Sequence, residues 1–486
     1  MTTVLQSPAV LDDGTRTWSA AELELSIADF TSVLRAQGVK VLATLLDNSV
    51  AWVVADRAAE RAGIVHVPLP VFFTREQITH ALQATGADAM LMPAMAPWPQ
   101  GSATPSTVTG QALALWRLPA RAVPMPEGTA KITFTSGTTG MPKGVCLRAS
   151  TIEGVSRGVV EALAPLRIQR HLCVLPFAVL LENIAGLSAP LMNGTTCIVV
   201  PLSQVGLTGS SSFDAAEFHA AVLRFRPDSL ILLPQMLRMW VGYLAATRQR
   251  APQGLRFVAV GGASVGAGLV AASRALGIPA HEGYGLSEGA SVQTLNLPGA
   301  DLAGSAGRAL PHARLRISSE GEVEVAGSLF AGYLGDPRPV PEWWPSGDLG
   351  SIDENGFLHV HGRRKNVLIT SFGRNVSPEW VEGALQEAGI AVAVVFGDDQ
   401  PTLSAVLWPL NAQLPDAALQ AAVDAANARL PDYARVHRWV RARRAFDAAS
   451  GMATANGRPQ RAAIFQAHAD ALTDEIPSFT PSTEHS

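Results

Sequence analysis

The chain reads as an α/β protein. A large N-terminal domain of parallel-sheet layers plus a β-rich subdomain is followed by a small α+β C-terminal domain. Three observations predict this. Over the first ninety residues, helix-period and strand-like apolar runs alternate, the pattern of βαβ units over a parallel sheet. From about residue 313 the texture turns to short strands with tight turns, and around 366 helices and strands alternate again. The length, 486 residues, also exceeds one ordinary domain; at about 100–200 residues per domain, roughly two to four are expected.

The elements follow in order. Ser19-Ala-Ala-Glu22 is a capping box, Leu23, Ile27, Phe30 and Leu34 share the helical face behind it, and Gly38 stops the helix. Residues 39–46 form a strand, Val50–Ala62 a second helix, and 64–67 a second strand that meets Pro68. Thr74-Arg-Glu-Gln77 opens a third helix that closes near Gly86. Residues 93–129, rich in Pro, Gly, Ser and Thr, read as a surface connection without an element of its own. Beyond 131, residues 197–200, 229–233 and 255–260 are buried strands, with a helix at Ala215–Phe225. Residues 314–317, 321–325 and 356–360 are the short strands of the β-rich part. Helix 378–388, strands 391–396 and 403–408, and helix 415–430 make the C-terminal domain, and 473–486 a frayed tail. There is no repeat and no heptad array.

Composition excludes several classes. Lys+Arg 37 against Asp+Glu 41 leaves a net charge of −4, which argues against a nucleic-acid partner or a membrane surface bound through broad basic fields. With 48% hydrophobic and 16% charged residues the chain can bury a large core and is not disordered. Cys146, Cys173 and Cys197 show no CxxC spacing, which excludes a disulfide framework and a cysteine-built zinc site. The histidines make no H-x-x-x-H pair, so no structural zinc is expected. The first residues lack a basic, then apolar, signal pattern. The apolar run 172–181 ends at Glu182 and Asn183, too short to span a bilayer, so no transmembrane segment is expected and the location is read as cytoplasmic.

The most informative stretch is Lys131-Ile-Thr-Phe-Thr-Ser-Gly-Thr-Thr-Gly-Met-Pro-Lys-Gly144. A β-branched and aromatic strand runs into hydroxyls and glycines with one lysine at the end. Gly137 and Gly140 let backbone N–H groups turn toward an anion, Thr135, Ser136, Thr138 and Thr139 add donors, and Lys143 adds charge. The arrangement suits nucleotide phosphates. It is not a Walker A loop, because Pro142 stands where that pattern needs glycine.

TSGTTGMPKG resembles the phosphate loop of the adenylate-forming superfamily: acyl-CoA synthetases, firefly-type luciferases and the adenylation domains of peptide synthetases. Tyr284-Gly-Leu-Ser-Glu288, Ser346-Gly-Asp348 and Gly362-Arg-Arg-Lys365 resemble its further motifs, in order and at matching spacing. GRRKNVLITSFGRNVSPEWVE, and the Leu-Glu-Asn run around Glu182, look most like the fatty acyl-CoA synthetase branch. The resemblance implies ATP- and Mg²⁺-dependent activation of a small-molecule carboxylic acid, foremost a fatty acid, and transfer to coenzyme A. Alternatives are an acyl carrier protein as acceptor, or a non-catalytic nucleotide- or acyl-binding relative.

The same resemblance assigns positions. Gly261, Gly262 and Ala263 would lie against adenine, with Tyr284 stacked on it. Ser287 would contact the α-phosphate, and Glu288 would hold Mg²⁺, a hard cation suited to carboxylate oxygen. Asp348 would bind the ribose hydroxyls, with Arg363 nearby, and Lys143 would join Ser287 and Glu288 in catalysis. Residues 1–365 would be the nucleotide- and acyl-binding domain, and 366–472 a mobile domain hinged at Asn366. Two positions depart from the family. Arg458, in Asn456-Gly-Arg-Pro-Gln-Arg461, stands at the catalytic lysine position and keeps the charge on a planar head. Val179, in the acyl-pocket run 175–183, replaces a frequent histidine; Gly285 also lines that pocket.

Other signals are discounted. Gly285-Leu-Ser-Glu-Gly289 and Gly154-Val-Ser-Arg-Gly158 both match a hydrolase nucleophile elbow, but two matches among 43 glycines show how little that pattern selects. Cys146 is expected to be core packing rather than a thioester carrier. Trp343 and Trp344 read equally as core or rim.

Overall fold

The structure, a computed structural model, describes residues 9–96, 102–119, 121–135, 143–209, 212–371, 375–411, 413–454 and 457–472. They divide into two compact units, Met1–Val360 and His361–Ser486. The expected frayed tail 473–486 lies outside the described residues.

The first unit holds two large sheets. In the eight-stranded one, Thr129–Thr135, Val65–Pro68, Val41–Thr44 and Ala89–Pro93 run parallel at the centre. Lys143–Arg148 and Gly332–Tyr333 extend one side antiparallel, Gln111–Arg117 and Ser102–Val108 the other. In the nine-stranded sheet, six strands from Ala280–Leu286 through Phe257–Val260, Ser229–Leu232, Arg170–Leu172 and Thr196–Ile198 to Ala9–Asp12 are parallel. The parallel layers are therefore as expected, but with antiparallel edges. A four-stranded sheet, Ala313–Ile317, Glu322–Gly327, Trp344–Ile352 and Leu358–Arg363, is the β-rich part.

Local chemistry explains the helices. Ala20–Ala36 starts at the Ser19–Glu22 capping box and buries Leu23, Ile27, Phe30 and Leu34. Val50–Ala62 is capped by the Ser49 hydroxyl, ends at Gly63 in the left-handed region (φ +70), and buries Trp52 completely. Arg75–Thr85 has its own capping box at Thr74 and Gln77 and closes at Gly86.

Residues 93–129 are not the plain connection expected. Ser102–Val108 and Gln111–Arg117 form a hairpin turned by Thr109 (φ +54) and Gly110 (φ +82), and the second strand pairs with Ala89–Pro93. Positive φ at both central residues matches the twist of a two-residue hairpin loop. The outer strand is an exposed edge, so its Ser and Thr residues carry no apolar alternation, while Leu113 and Leu115 of its partner are buried. The run 172–181 also differs: Glu182 and Asn183 do not end a buried segment but open the π-helix Leu181–Ser188 and are themselves buried.

The second unit packs Pro378–Glu387, Asp416–Asn427 and Arg461–Leu472 around the three-stranded sheet Ile390–Phe396, Leu403–Pro409 and Val436–Arg441. Val381, Leu385, Val395, Leu407, Leu419 and Val423 form its core. Among the described residues no helix is long and apolar enough to cross a membrane.

Candidate active site

Parallel strands bring their carboxyl ends to one edge of a sheet, where α/β proteins place ligands. Phe257–Val260 ends there in Gly261, Gly262 and Ala263, and its neighbour Ala280–Leu286 carries Tyr284 and runs into Ser287 and Glu288. Gly262 has φ +89, and a Cβ on Gly261 would stand 3.3 Å from the Gly283 carbonyl, so both positions suit glycine; Gly262 and Ala263 are exposed.

This turn is held from below by Glu282. Its register partner is Val260, and its Oε1 accepts the Val265 N–H at 3.0 Å, with the Gly266 N–H also directed at the carboxylate. Burial raises its pKa to about 7, against those backbone hydrogen bonds, which lower it. Nothing in the sequence marked Glu282, since its role depends on the neighbouring strand's loop.

Ser287 and Glu288 leave the sheet through a bulge between Tyr284 and Gly285. A Cβ on Gly285 would lie 1.8 Å from the Ser291 carbonyl, so only glycine fits. The short 3₁₀ turn Ser287–Gly289 is followed by Ala290 (φ +53) and Ser291 (φ +104), two non-glycine residues in the left-handed region. The Glu288 carbonyl accepts the Phe330 N–H at 2.7 Å.

Tyr333 joins two motifs that are distant in sequence. Its hydroxyl donates to Glu288 Oε1 at 2.5 Å, and the Lys143 ammonium lies 5.8 Å from its ring centroid. The strand Lys143–Arg148 pairs with Tyr333 directly, Tyr333 opposite Val145. Burial and the adjacent Glu288 carboxylate push the Tyr333 phenol well above its usual range, so it stays a neutral donor. Oε2 of Glu288 takes no hydrogen bond among the described residues, which leaves one carboxylate oxygen for a cation. Thr135 pairs with Lys143 at the base of this hairpin. Ser136, Gly137, Thr138, Thr139 and Gly140, and the Thr135 side chain, lie outside the described residues.

Asp348 is 5% exposed, and its Oδ2 accepts the Tyr284 hydroxyl at 2.7 Å. Ser346 Oγ accepts the Asp348 N–H at 3.0 Å while donating to the Val323 carbonyl at 2.6 Å, and Glu322 Oε1 accepts the Gly347 N–H at 2.7 Å. The expected ring and ribose positions are thus tied to each other. Trp344, next to this strand's turn, packs on Phe330 at 4.8 Å, whereas Trp343 lies under the Arg316 guanidinium at 4.4 Å; one faces inward, the other the rim.

Val179 is half-buried in a turn, its N–H bound to Pro176 O at 2.9 Å. Asn48 clamps this run, accepting the Phe177 N–H at 2.9 Å and donating to Leu175 O at 2.8 Å. Gly285 is exposed. Of the discounted signals, Ser156 donates to its own helix at Ile152 O, 2.8 Å, and Cys146 is fully buried.

Arg363, Asn366 and Arg458 belong to the second unit. Arg363 is half-buried. The Asn366 amide donates to Glu379 Oε1 at 2.5 Å. Its backbone is not in the left-handed region; Gly362 is, at φ +145, and a Cβ there would meet Ser377 Oγ at 2.0 Å. Arg458 is exposed, with its N–H on Thr454 Oγ1 at 3.1 Å.

A family profile described as AMP-binding enzyme matches residues 2–333, and one for the AMP-binding enzyme C-terminal domain matches 365–475. The chain belongs to the AMP-binding enzyme family. This AMP-binding enzyme is 30% identical over 330 residues to a long-chain-fatty-acid–CoA ligase of Mycobacterium bovis, covering 57% of this chain and 54% of that one. It is 30% identical over 287 residues to a 2-succinylbenzoate–CoA ligase of Geobacillus, covering 54% and 56%. The aligned region thus spans about half the length of these curated relatives. The o-succinylbenzoate CoA synthetase of Bacillus subtilis, solved with its acyl-adenylate OSB-AMP, shares the fold at TM-score 0.74 and 21% identity, covering 97% of this AMP-binding enzyme and 96% of that chain.

Proposed function

We propose that this AMP-binding enzyme uses ATP to convert a carboxylic acid into an acyl-adenylate and then passes the acyl group to the thiol of coenzyme A. In the first step a carboxylate oxygen bonds to the α-phosphorus as pyrophosphate leaves. In the second, the thiol sulfur bonds to the acyl carbon, AMP leaves, and the thiol proton is released. Such chemistry needs no enzyme nucleophile; it needs positioning and neutralisation of phosphate charge.

The observation that carries this reading is the Lys143–Tyr333–Glu288 grouping, an ammonium, a neutral phenol and a carboxylate gathered where the strand Lys143–Arg148 begins opposite Thr135. Mg²⁺, when bound, supplies charge neutralisation on the phosphates. Glu288 would hold it through the oxygen that Tyr333 leaves open, and Tyr333 orients that carboxylate. Ser287 contacts the α-phosphate. Thr135, Ser136, Gly137, Thr138, Thr139 and Gly140 bind the β- and γ-phosphates. Gly261, Gly262, Ala263 and Tyr284 take the adenine, and Asp348 the ribose, with Arg363 nearby. Val179 and Gly285 line the acyl pocket. Arg458 supplies the positive charge of the second domain, residues 366–472, which moves about Asn366 relative to 1–365. The protein works in the cytoplasm.

A fatty acid is the leading substrate, supported by the motif resemblance and by the name of the Mycobacterium relative. An aryl acid is the second reading, supported by the name of the Geobacillus relative. Pyrophosphate release across fatty and aryl acids of graded size tests both. Acid-dependent release with AMP and acyl-CoA formation is the expected result, and no AMP across the whole panel overturns the proposal.

A further inference from the structure

Under the run 175–183, His171 lies on the strand Arg170–Leu172 and Cys173 follows two positions on, so both point to one face of the sheet. The first turn of the π-helix Leu181–Ser188 brings Glu182 onto that face. All three are buried, at 4%, 0% and 0% exposure, and their donor atoms lie within 4.8 Å of one another.

The hydrogen bonding is incomplete in a specific way. His171 Nδ1 pairs with Ser229 Oγ at 2.9 Å, which aims Nε2 at Glu182 Oε1, 3.7 Å away. That separation is beyond hydrogen-bond reach. Neither atom has a hydrogen-bond partner among the described residues. Two unsatisfied polar atoms facing each other in a dry core are costly unless something positive lies between them. Only glycine at 186 lets the π-helix backbone come this close: a Cβ there would stand 2.5 Å from Glu182 Oε1 and 3.1 Å from His171 Nε2. The Cys173 thiol lies 3.5 Å from the Gly186 carbonyl and interacts with Glu182 and the Cys197 thiol.

We propose that His171, Cys173 and Glu182 bind one divalent cation of the zinc class, at a site separate from the nucleotide. One nitrogen, one sulfur and one carboxylate oxygen are a borderline-soft set suited to zinc rather than magnesium. Ligand atoms about 2.0–2.3 Å from a tetrahedral ion stand roughly 3.3–3.7 Å apart, which matches the His171–Glu182 gap. The Ser229 bond to the far ring nitrogen is the outer support that metal-binding histidines use to fix ring and tautomer. Binding displaces the Cys173 thiol proton to solvent. The ion pins the π-helix, whose Leu181 side chain lies 3.9 Å from where a Gly261 Cβ would be. The proposal departs from the expectation of no structural zinc, because the three residues sit two and nine positions apart in no recognised motif and only the packing of helix on sheet assembles them.

The test uses the tag-free full chain, purified from zinc-supplemented cells and dialysed without nucleotide. Elemental analysis is expected to find about one zinc per chain, falling roughly tenfold or more in Cys173→Ser and in Glu182→Gln. Cobalt in place of zinc should give a near-ultraviolet thiolate-to-cobalt band that Cys173→Ser lacks. Should a variant fail to fold, unfolding the native protein in the presence of a chromophoric chelator still reports whether an ion is released. Wild-type protein with less than about 0.1 zinc per chain, together with Glu182→Gln melting like wild type, overturns the proposal and leaves a proton on Glu182 as the bridging charge.

Discussion

At the scale of single residues, two side chains that no motif marked, Tyr333 and Glu282, hold groups of the proposed nucleotide site. Tyr333 orients Glu288 through a hydrogen bond of 2.5 Å to a carboxylate. Such charged hydrogen bonds contribute about 1.5–3 kcal/mol, so Tyr333→Phe is expected to lower kcat/KM for adenylation roughly 10- to 100-fold. In a Glu288→Gln background the same change should cost little, and steady-state pyrophosphate assays on the double-mutant cycle measure the difference. Glu282 supports the turn of Gly261, Gly262 and Ala263 with its pKa raised by burial to about 7 from 4.5. A raised folded-state pKa means the protonated form is favoured on folding. Its stabilising contribution is full below about pH 4.5 and is lost as pH rises through about 7, a change of about 3 kcal/mol. Glu282→Gln keeps an oxygen for Val265 but does not ionise. Its melting temperature should therefore gain on wild type between about pH 5 and pH 8, and an unchanged difference across that range would exclude titration of Glu282 there.

At the scale of elements, a buried polar ladder ties the strand Thr129–Thr135 to the π-helix. Thr44 Oγ1 meets His66 Nε2 at 2.9 Å, and His66 Nδ1 meets Asp56 Oδ1 at 2.6 Å. Asp56 pairs with the Lys131 ammonium at 2.8 Å, which donates to Asn183 Oδ1 at 2.6 Å. Burial opposes ionisation of Asp56, but Lys131 and His66 outweigh it and hold the carboxyl well below its usual range. Lys131→Met removes the cation and leaves a buried carboxylate without it, a loss of about 3–5 kcal/mol that urea unfolding would register. Gly285 is a second dependence. Its Cβ would overlap the Ser291 carbonyl at 1.8 Å, so Gly285→Ala must open the bulge that projects Ser287 and Glu288. Nearly complete loss of adenylation is expected with a folded circular-dichroism spectrum, because the strands on either side keep their own cores.

At the scale of the whole molecule, two units divide at Val360 and His361, inside the strand Leu358–Arg363. The proposed nucleotide contacts fall mainly in the first unit and Arg458 in the second. Arg458→Ala is expected to slow pyrophosphate release at least about tenfold while changing nucleotide binding far less, a split that rapid-quench and equilibrium-binding measurements separate. Similar loss of binding and rate would place Arg458 in nucleotide capture instead.

The amino-acid sequence alone determined what depends on neighbours a few residues away. Ser19 and Glu22 start a helix because their reach spans one turn, and Gly63 and Gly86 end helices because they tolerate positive φ. The glycine-hydroxyl stretch, Tyr284 through Glu288 and Asp348 are legible as motifs and as a proposed site, since each motif's spacing is local. Only the tertiary structure decided the rest. The hairpin at 102–117 is held by pairing to Ala89–Pro93, not by its own apolar pattern. Tyr333 meets Glu288 across 45 positions, Tyr284 meets Asp348 across 64, and His171 meets Glu182 through a helix folded back on its sheet. Such contacts are set by strand order and burial, where the energy of a side chain depends on what the fold brings beside it.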